Sequence, residues 1–360
     1  MHRKLVAIAV AFVLAGCGGP GVQPAGKAAG SGVPNGPTDV ARYQGADRQQ
    51  VLEAGARKEG TVSWYTAIAG DVISALTNGF QQKYPYLKLN VFRSDELQVM
   101  QHITQETQAG TASFDVTDLN GGATEILVES KLITPYYSPS LANISASLKM
   151  GRSGPLVDRA SDWATIIGFG HNTTLIPKDA VPKTTVDLMN PALAGKLALA
   201  GTTTGYYWVG SVLAGMGDAA GKQWLADFAG KQKPAVQQIS AKALLDLIAK
   251  GEVPASLTVY RDHVRQAQTT KAPVAWIPLE PDVSLVNYVV VGVNAPHPNA
   301  AMLFVDYLLG EGQQVLKDNF YTTGSEKLPF KTWIPYKDKT TAQYDEATKS
   351  WSDLFKADFR

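Results

Sequence analysis

The chain has 360 residues, of which 45% are hydrophobic and 18% are charged, and its formal net charge is +1. A net charge this close to zero provides no field for nucleic acid or for an anionic membrane, so we expect no nucleic-acid partner. The only cysteine is Cys17, which excludes an internal disulfide bond.

Residues 1–16 predict a signal peptide, because basic residues at positions 2–4 precede a short apolar run. The run is too short for a permanent membrane span. The sequence Leu-Ala-Gly-Cys at 14–17 resembles the bacterial lipobox, which implies cleavage before Cys17 and a lipid anchor on its sulfur. An ordinary export signal with an incidental cysteine is the alternative.

Residues 17–45 predict a flexible tether. Seven of the twenty residues from 18 to 37 are glycine and four are proline, and such a segment cannot bury enough apolar surface to fold. The remaining residues are many for one core and suit two domains. We therefore expect an exported protein, held in the periplasm or at the outer face of the cytoplasmic membrane.

The first part of the folded region alternates strands and helices. Asp47 begins an apparent capping box, and Gly60 is placed to end the helix that follows. Pro85 ends a second helix, which carries apolar residues at helical spacing. Strands are predicted at 61–65, 89–93 and 114–119, and helices after Gly70, at 96–109 and after residue 122.

The second part repeats this alternation. Strands are predicted at 163–170, 196–200, 236–239, 255–259, 274–277 and 285–293, and helices from Tyr206 and at 222–228, 241–250, 299–309 and 312–320. The pattern is typical of an α/β fold with largely parallel sheets. We place lobe 1 at 46–162 plus 286–335 and lobe 2 at 163–285 plus 336–360, with two connecting strands as a hinge.

Candidate ligand-binding residues follow the predicted strands, because ligands of open α/β sheets bind at the carboxyl ends of strands, near helix N-termini. This rule selects four segments: Tyr65, Thr66 and Ala67; Asp118 and Asn120; Thr202, Thr203, Thr204 and Tyr206; and Tyr260 and Arg261. The threonines offer donors to an anion, and the arginine offers a bidentate clamp. A threonine helix cap, a solvated arginine and an aspartate helix cap are the structural alternatives.

Enzyme motifs are absent from the sequence. There is no phosphate-binding loop, no dinucleotide-binding glycine pattern and no nucleophile elbow. The histidines are scattered without metal-ligand spacing. We therefore expect a protein that is not an enzyme and that has neither a cofactor nor a resident metal.

Several segments together resemble the substrate-binding proteins of bacterial ABC importers, in the branch that includes ferric-iron-binding proteins. These segments are TVSWYTA at 61–67, FQQKYP at 80–85, FDV at 114–116, LITPYYSP at 132–139, DLMNP at 187–191, KAPV at 271–274 and APHPNAA at 295–301. The resemblance implies two α/β lobes that close on a small molecule, an ABC permease as partner, and a monomer.

The resemblance is weaker for iron. Ferric-binding members carry an adjacent tyrosine pair where this chain has Tyr260 and Arg261, and an arginine opposes a trivalent cation. We therefore predict a small organic or phosphorus-containing anion, held by Arg261, the 202–204 loop and Thr66. The alternative is ferric iron bound by Tyr260, Tyr206 and Tyr207. An extracytoplasmic sensor or a lipoprotein enzyme are alternatives of other classes.

Overall fold

The computed structural model describes residues 34–111 and 114–359. The predicted signal peptide and Cys17 lie outside the described residues, so they stay predictions. No helix in the described ranges is long and apolar enough to span a membrane.

The strands are in several cases rich in β-branched and aromatic residues, which favour this conformation. They are β1 (Thr61–Thr66), β2 (Lys88–Arg93), β3 (Val116–Asn120), β4 (Ile133–Thr134), β5 (Lys149–Met150), β6 (Arg159–Asn172), β7 (Leu197–Ala200), β8 (Ala235–Gln237), β9 (Ala255–Tyr260), β10 (Val274–Ile277), β11 (Asp282–Gly292), β12 (Thr322–Thr323) and β13 (Thr332–Trp333).

Helices connect most of these strands. They are α1 (Pro37–Arg42), α2 (Arg48–Glu59), α3 (Gly70–Lys83), α4 (Glu96–Gln108), α5 (Gly121–Glu129), α6 (Thr203–Met216), α7 (Asp218–Gln232), α8 (Ala241–Lys250), α9 (Arg261–Thr269), α10 (Pro298–Leu309), α11 (Gly312–Asp318) and α12 (Thr341–Asp358). Short 3-10 helices lie at Pro139–Asn143, Ala146–Leu148, Lys178–Ala180, Thr185–Met189 and Pro191–Leu193.

Two details at the amino-terminal end differ from the prediction. Helix α1 lies inside the predicted tether, and its Val40 and Ala41 are buried in the core, so the folded part begins before residue 46. The predicted capping box at Asp47 is wrong, because this side chain makes no cap bond and instead accepts a hydrogen bond from the Tyr43 hydroxyl at 2.6 Å. Gly60 does end α2, with a φ of 70°.

The sheet runs in the order β2-β1-β3-β11-β6-β9-β7-β8. Strands β2, β1 and β3 are parallel to one another and form the first sheet group. Strands β9, β7 and β8 are likewise parallel and form the second sheet group. The long strands β6 and β11 lie between the groups, antiparallel to each other and to their outer neighbours, and we call them the central strands.

The α/β fold class is confirmed, and its core has two main parts. One buried cluster contains Trp64, Phe80 and Phe304 and packs α3 and α10 against the first sheet group. The other contains Trp208 and Phe228 and packs α6 and α7 against the second. The predicted lobe boundaries at 162 and 286 fall within the central strands, and relative movement of the two halves stays a prediction.

Candidate functional site

A cavity of about 840 Å³ lies against one face of the central strands, and we call it the cleft cavity. Segments that follow β1, β3 and β9 contribute to it, together with the first turns of α4 and α6. Its walls are formed by Ala67, Ile68, Ala69, Arg93, Ser94, Asp95, Glu96, Gln98, Asn120, Trp163, Thr165, Thr203, Thr204, Tyr207, Tyr260, Asp262, His263, Leu285, Asn287 and Tyr321.

A second cavity, of about 890 Å³, lies against the opposite face of the same strands, and we call it the rear cavity. Side chains alternate between the faces of a strand. Thr165 and Leu285 accordingly face the cleft cavity, whereas their neighbours Ala164 and Ser284 face the rear cavity.

Five of the predicted ligand-binding residues meet in the cleft cavity, and they come from both sheet groups. Ala67 follows β1 and Asn120 ends β3, both in the first group. Tyr260 ends β9 of the second group, and Thr203 and Thr204 begin α6, which packs on that group. The Thr204 Oγ1 and Tyr260 Oη atoms are 3.5 Å apart. Helix α6 begins at Thr203, three residues earlier than predicted, so both threonines belong to its first turn. The fold therefore brings together these five of the residues that the strand-end rule selected.

Tyr65 and Thr66 are held in place by their own half of the molecule. The Tyr65 ring packs against Phe92 and His102, and its hydroxyl donates to Glu106 at 3.2 Å. The Thr66 hydroxyl oxygen, fully buried, accepts a hydrogen bond from the Ile68 amide at 3.1 Å. Neither side chain lines the cleft cavity.

Asp118 is buried below the floor of the cleft cavity. Its carboxylate accepts hydrogen bonds from the indole of Trp64 at 2.6 Å and from the indole of Trp163 at 2.8 Å. Burial raises the pKa of this carboxyl, and the indole hydrogen bonds only partly offset that rise. Asp118 therefore supports Trp163, which lines the cavity, and does not line it itself.

Three further predicted residues do not line the cleft cavity. Thr202 precedes α6 and contributes its backbone oxygen to the first turn of that helix. The Tyr206 ring packs edge-on against Phe355 of α12. Arg261 donates to Glu326 at 3.2 Å and to Thr322 at 3.1 Å, and both partners line the rear cavity. The Arg261 guanidinium, predicted to bind an anion, is thus already paired with Glu326 inside the protein.

Several carboxyl groups line the cleft cavity, and burial raises the pKa of two of them. Glu96 accepts hydrogen bonds from both the amide and the side chain of Asn120, and burial raises the pKa of Glu96 to about 7. Burial also raises the pKa of Asp262 to about 7, against the opposing effect of nearby arginines. Arg93 is the arginine that lines this cavity in the described part of the chain.

His263 and the tyrosines are neutral at pH 7. Burial, assisted by Lys242, lowers the pKa of His263 to about 4. Burial raises the pKa of both Tyr207 and Tyr260 above the ordinary tyrosine value. Within the described ranges, no three His, Cys, Asp or Glu side chains come together as a metal site requires.

Sequence reasoning missed several lining residues, including Arg93, Glu96, Asp262 and Asn287. Arg93 and Glu96 flank a strand end that the strand-end rule could have selected. Asn287 had a clear signal, because it is the one side-chain amide in the apolar run at 285–293. Asp262 lies in α9, whose strongly polar sequence did not suggest a helix.

The family model for bacterial extracellular solute-binding proteins matches residues 59–315 of this chain. Among curated proteins, none is a significant sequence relative.

Solved structures of similar fold come from several bacteria. Iron-bound HitA from Pseudomonas aeruginosa is 18% identical with a TM-score of 0.64, and the match covers 82% of this chain and 99% of HitA. AfuA from Actinobacillus pleuropneumoniae, with exogenous fructose-6-phosphate bound, is 18% identical with a TM-score of 0.60, covering 84% and 99%. Trichodesmium FutA, with iron and citrate, is 18% identical with a TM-score of 0.63, covering 83% and 99%. At such identities the likeness concerns the fold alone.

Proposed function

The chain belongs to the bacterial extracellular solute-binding proteins, and from this premise we propose that it captures a small organic or phosphorus-containing anion in the cleft cavity and delivers it to an ABC permease. The family consists of binding proteins, acts outside the cytoplasm, and has a small ligand and a permease as partners. We further propose that the mature chain is a monomer held at a membrane by a lipid on Cys17.

One observation carries the choice of ligand. Arg93, the last residue of β2 in the first sheet group, and the first turn of α6, which packs on the second, line one cavity. A helix N-terminus and a guanidinium both favour an anion. Arg93 therefore takes the role that the sequence had suggested for Arg261, whose charge is already paired with Glu326.

The same arrangement supports the proposal that the two halves close on the ligand. A solute that touches Arg93 on one side and Thr203 or Thr204 on the other makes more contacts when the halves approach. Such differential contacts shift the population toward the closed form.

Ferric iron is the second candidate, because Tyr207 and Tyr260 line the same cavity as Glu96 and Asp262. Phenolate and carboxylate oxygens are the ligands that a hard trivalent cation prefers. Against iron, Tyr207 is already hydrogen-bonded to Tyr344, and both phenols would have to lose protons that burial makes them retain.

A thermal-shift and calorimetric panel on the full chain in mild detergent tests the proposal. It includes glycerol 3-phosphate, fructose 6-phosphate, inorganic phosphate and ferric citrate. A ligand at 100 times its dissociation constant stabilises a protein by about 2.7 kcal/mol. We expect organic phosphates to raise the melting temperature. Arg93→Gln should weaken the binding of these phosphates about tenfold, whereas the control Arg261→Gln should leave their affinity unchanged. A shift confined to iron, with tyrosinate colour, would select the second candidate.

A further inference from the structure

The pairing of the central strands slips by one residue beside the cleft cavity. Val286 pairs with Ala164, but Tyr288 pairs with Ser161, so two residues of β6 stand opposite Asn287. Such bulges re-aim side chains and are frequent beside functional sites. Asn287 is thus held at an irregular point within the apolar run at 285–293.

The Asn287 side chain needs a hydrogen-bond donor. The residue is only 3% exposed, it lines the cleft cavity, and its Oδ1 atom has no hydrogen-bond partner among the residues that the structure describes. A buried acceptor without a partner destabilises the folded protein, because it has given up its hydrogen bonds to water.

Asp262 repeats this situation in the second half of the molecule. It is 6% exposed and lines the same cavity, and its Oδ1 atom also lacks a hydrogen-bond partner within residues 34–111 and 114–359. The other carboxylate oxygen is 3.7 Å from the His263 Nε2 atom, which is too long for a hydrogen bond. Two buried acceptor oxygens therefore line one cavity.

Above the pKa of Asp262, both side chains act as acceptors, and an ionised phosphate or carboxylate does not satisfy them because such groups offer only acceptors themselves. Hydroxyl and amino groups supply the missing donors. A site built to hydrogen-bond a ligand donor also rejects analogues that lack it, since its own polar groups are then left unpaired.

We propose that Asp262 and Asn287 are specificity-determining residues that accept hydrogen bonds from hydroxyl or amino groups of the ligand. The ligand class is then a hydroxylated or amino-substituted organic anion, as opposed to a bare or alkyl one. This inference rests on the proposed function, because it places the donors on the same molecule as the anionic group.

Matched pairs of phosphates test it on the full chain by titration calorimetry. Glycerol 3-phosphate is compared with n-propyl phosphate, which lacks both hydroxyls, and O-phosphoethanolamine with ethyl phosphate, which lacks the amine. In the wild-type chain we expect the donor-bearing member of at least one pair to bind about tenfold more tightly. The pair that shows the preference distinguishes hydroxyl from amino recognition.

Variants locate the preference. Asn287→Leu, similar in size but without the acceptor, should reduce the preference to about twofold. Asn287→Asp keeps an acceptor and should keep the preference, and Asp262→Leu should act like Asn287→Leu. Asn90→Leu, on the exposed side of β2, is the matched control. Because the wild-type comparison needs no variant, a variant that fails to fold leaves the test intact.

Equal binding of donor-bearing and alkyl phosphates by the wild-type chain would overturn the inference and leave the organic-anion proposal standing. Binding of free glycerol or ethanolamine as tightly as of their phosphates would support the acceptor pair and overturn the anion proposal. No binding of any phosphate or of these two free compounds would overturn both.

Discussion

Tyr260 and Arg261 are adjacent in sequence, but their side chains face different cavities. Tyr260 is the last residue of β9 and lines the cleft cavity, whereas Arg261 is the first residue of α9 and reaches the rear cavity. The change from strand to helix turns the backbone between them. Sequence proximity therefore placed both in one site, and only the local geometry separates them.

Strand alternation explains the placement of Tyr65 in the same way. Trp64 and Thr66 share one face of β1 and reach toward Asp118, whereas Tyr65 lies on the other face, against α4. The sequence predicts the strand, but it does not show which side chains of the strand face a cavity, because that depends on which helices cover each face of the sheet.

Asp118 and Asp162 form a buried pair of carboxyls beneath Trp163. Burial raises the pKa of each, and their mutual repulsion raises the pKa of Asp162 further. The groups around them are the Trp64 and Trp163 indoles and the Thr66 hydroxyl, none of which supplies a compensating positive charge. The folded protein therefore holds protons that the unfolded chain releases.

This pair predicts that stability falls as the pH rises. An unfolded aspartate titrates near about 3.9, so above that pH the folded state binds more protons than the unfolded state, and its free energy of unfolding decreases with pH. Asp162→Asn keeps the side-chain acceptor for the Trp163 amide and removes one titrating group. We expect it to raise the urea midpoint more at pH 8 than at pH 5.

An exposed aspartate on a helix surface, Asp246, serves as the control for this substitution. Asp246→Asn should shift both midpoints by the same small amount. If Asp162→Asn shifted the urea midpoint equally at the two pH values, the folded protein would not raise the pKa of Asp162, which would contradict the prediction.

At the scale of the elements, long periodic segments were predictable. Strands at 61–65 and 274–277 and the helix at 241–250 agree with the structure to within one residue. Helix α9 was missed because few apolar residues mark its buried side. Helix α12 was missed although its signals were present, namely a capping box at Thr340 and the spaced aromatic residues Trp351 and Phe355.

The candidate site was only partly predictable, for a related reason. Thr203 and Thr204 were found because they begin a helix after a strand, a position that the sequence reveals. Asp262 and Asn287 depend on α9 and on a slip between two strands that are more than a hundred residues apart. Such pairings are set by tertiary packing, so the local sequence shows Asn287 as an amide in an apolar run but does not show which cavity it faces.

Two glycines in helices should respond oppositely to alanine. Gly205 lies in α6 where α12 crosses it, and an added Cβ would overlap the Ala200 backbone oxygen and lie 2.8 Å from the Phe355 ring. Gly230 lies in α7 with open space around it. We expect Gly205→Ala to reduce the free energy of unfolding by about 2 kcal/mol and Gly230→Ala to increase it by about 0.5–1 kcal/mol.

Chemical denaturation measures both changes, and Gly230→Ala is the control for the effect of alanine on helix propensity. If Gly205→Ala were also stabilising, α12 would not pack against α6 as closely as its contacts indicate.

At the scale of the whole molecule, two cavities flank the same pair of strands. The cleft cavity and the rear cavity lie on opposite faces of β6 and β11, which join the two parts of the core. If the proposed closure bends these strands, narrowing the cleft cavity must widen the rear cavity. A change in the rear cavity would then accompany closure, although the residues of the rear cavity do not contact the ligand.

A bulky side chain in the rear cavity should therefore strengthen ligand binding. Lys327 lines this cavity and is exposed, so Lys327→Trp adds volume there without disturbing the core. The ring would oppose narrowing of the rear cavity and favour the closed form, and apparent affinity rises with the fraction of molecules that can bind. We expect glycerol 3-phosphate to bind about threefold more tightly by calorimetry, through slower dissociation.

Lys231→Trp, on the exposed end of α7, is the matched control and should leave affinity unchanged. Unchanged or weaker binding by Lys327→Trp would mean that the central strands do not act as the hinge, because their two faces would then be independent.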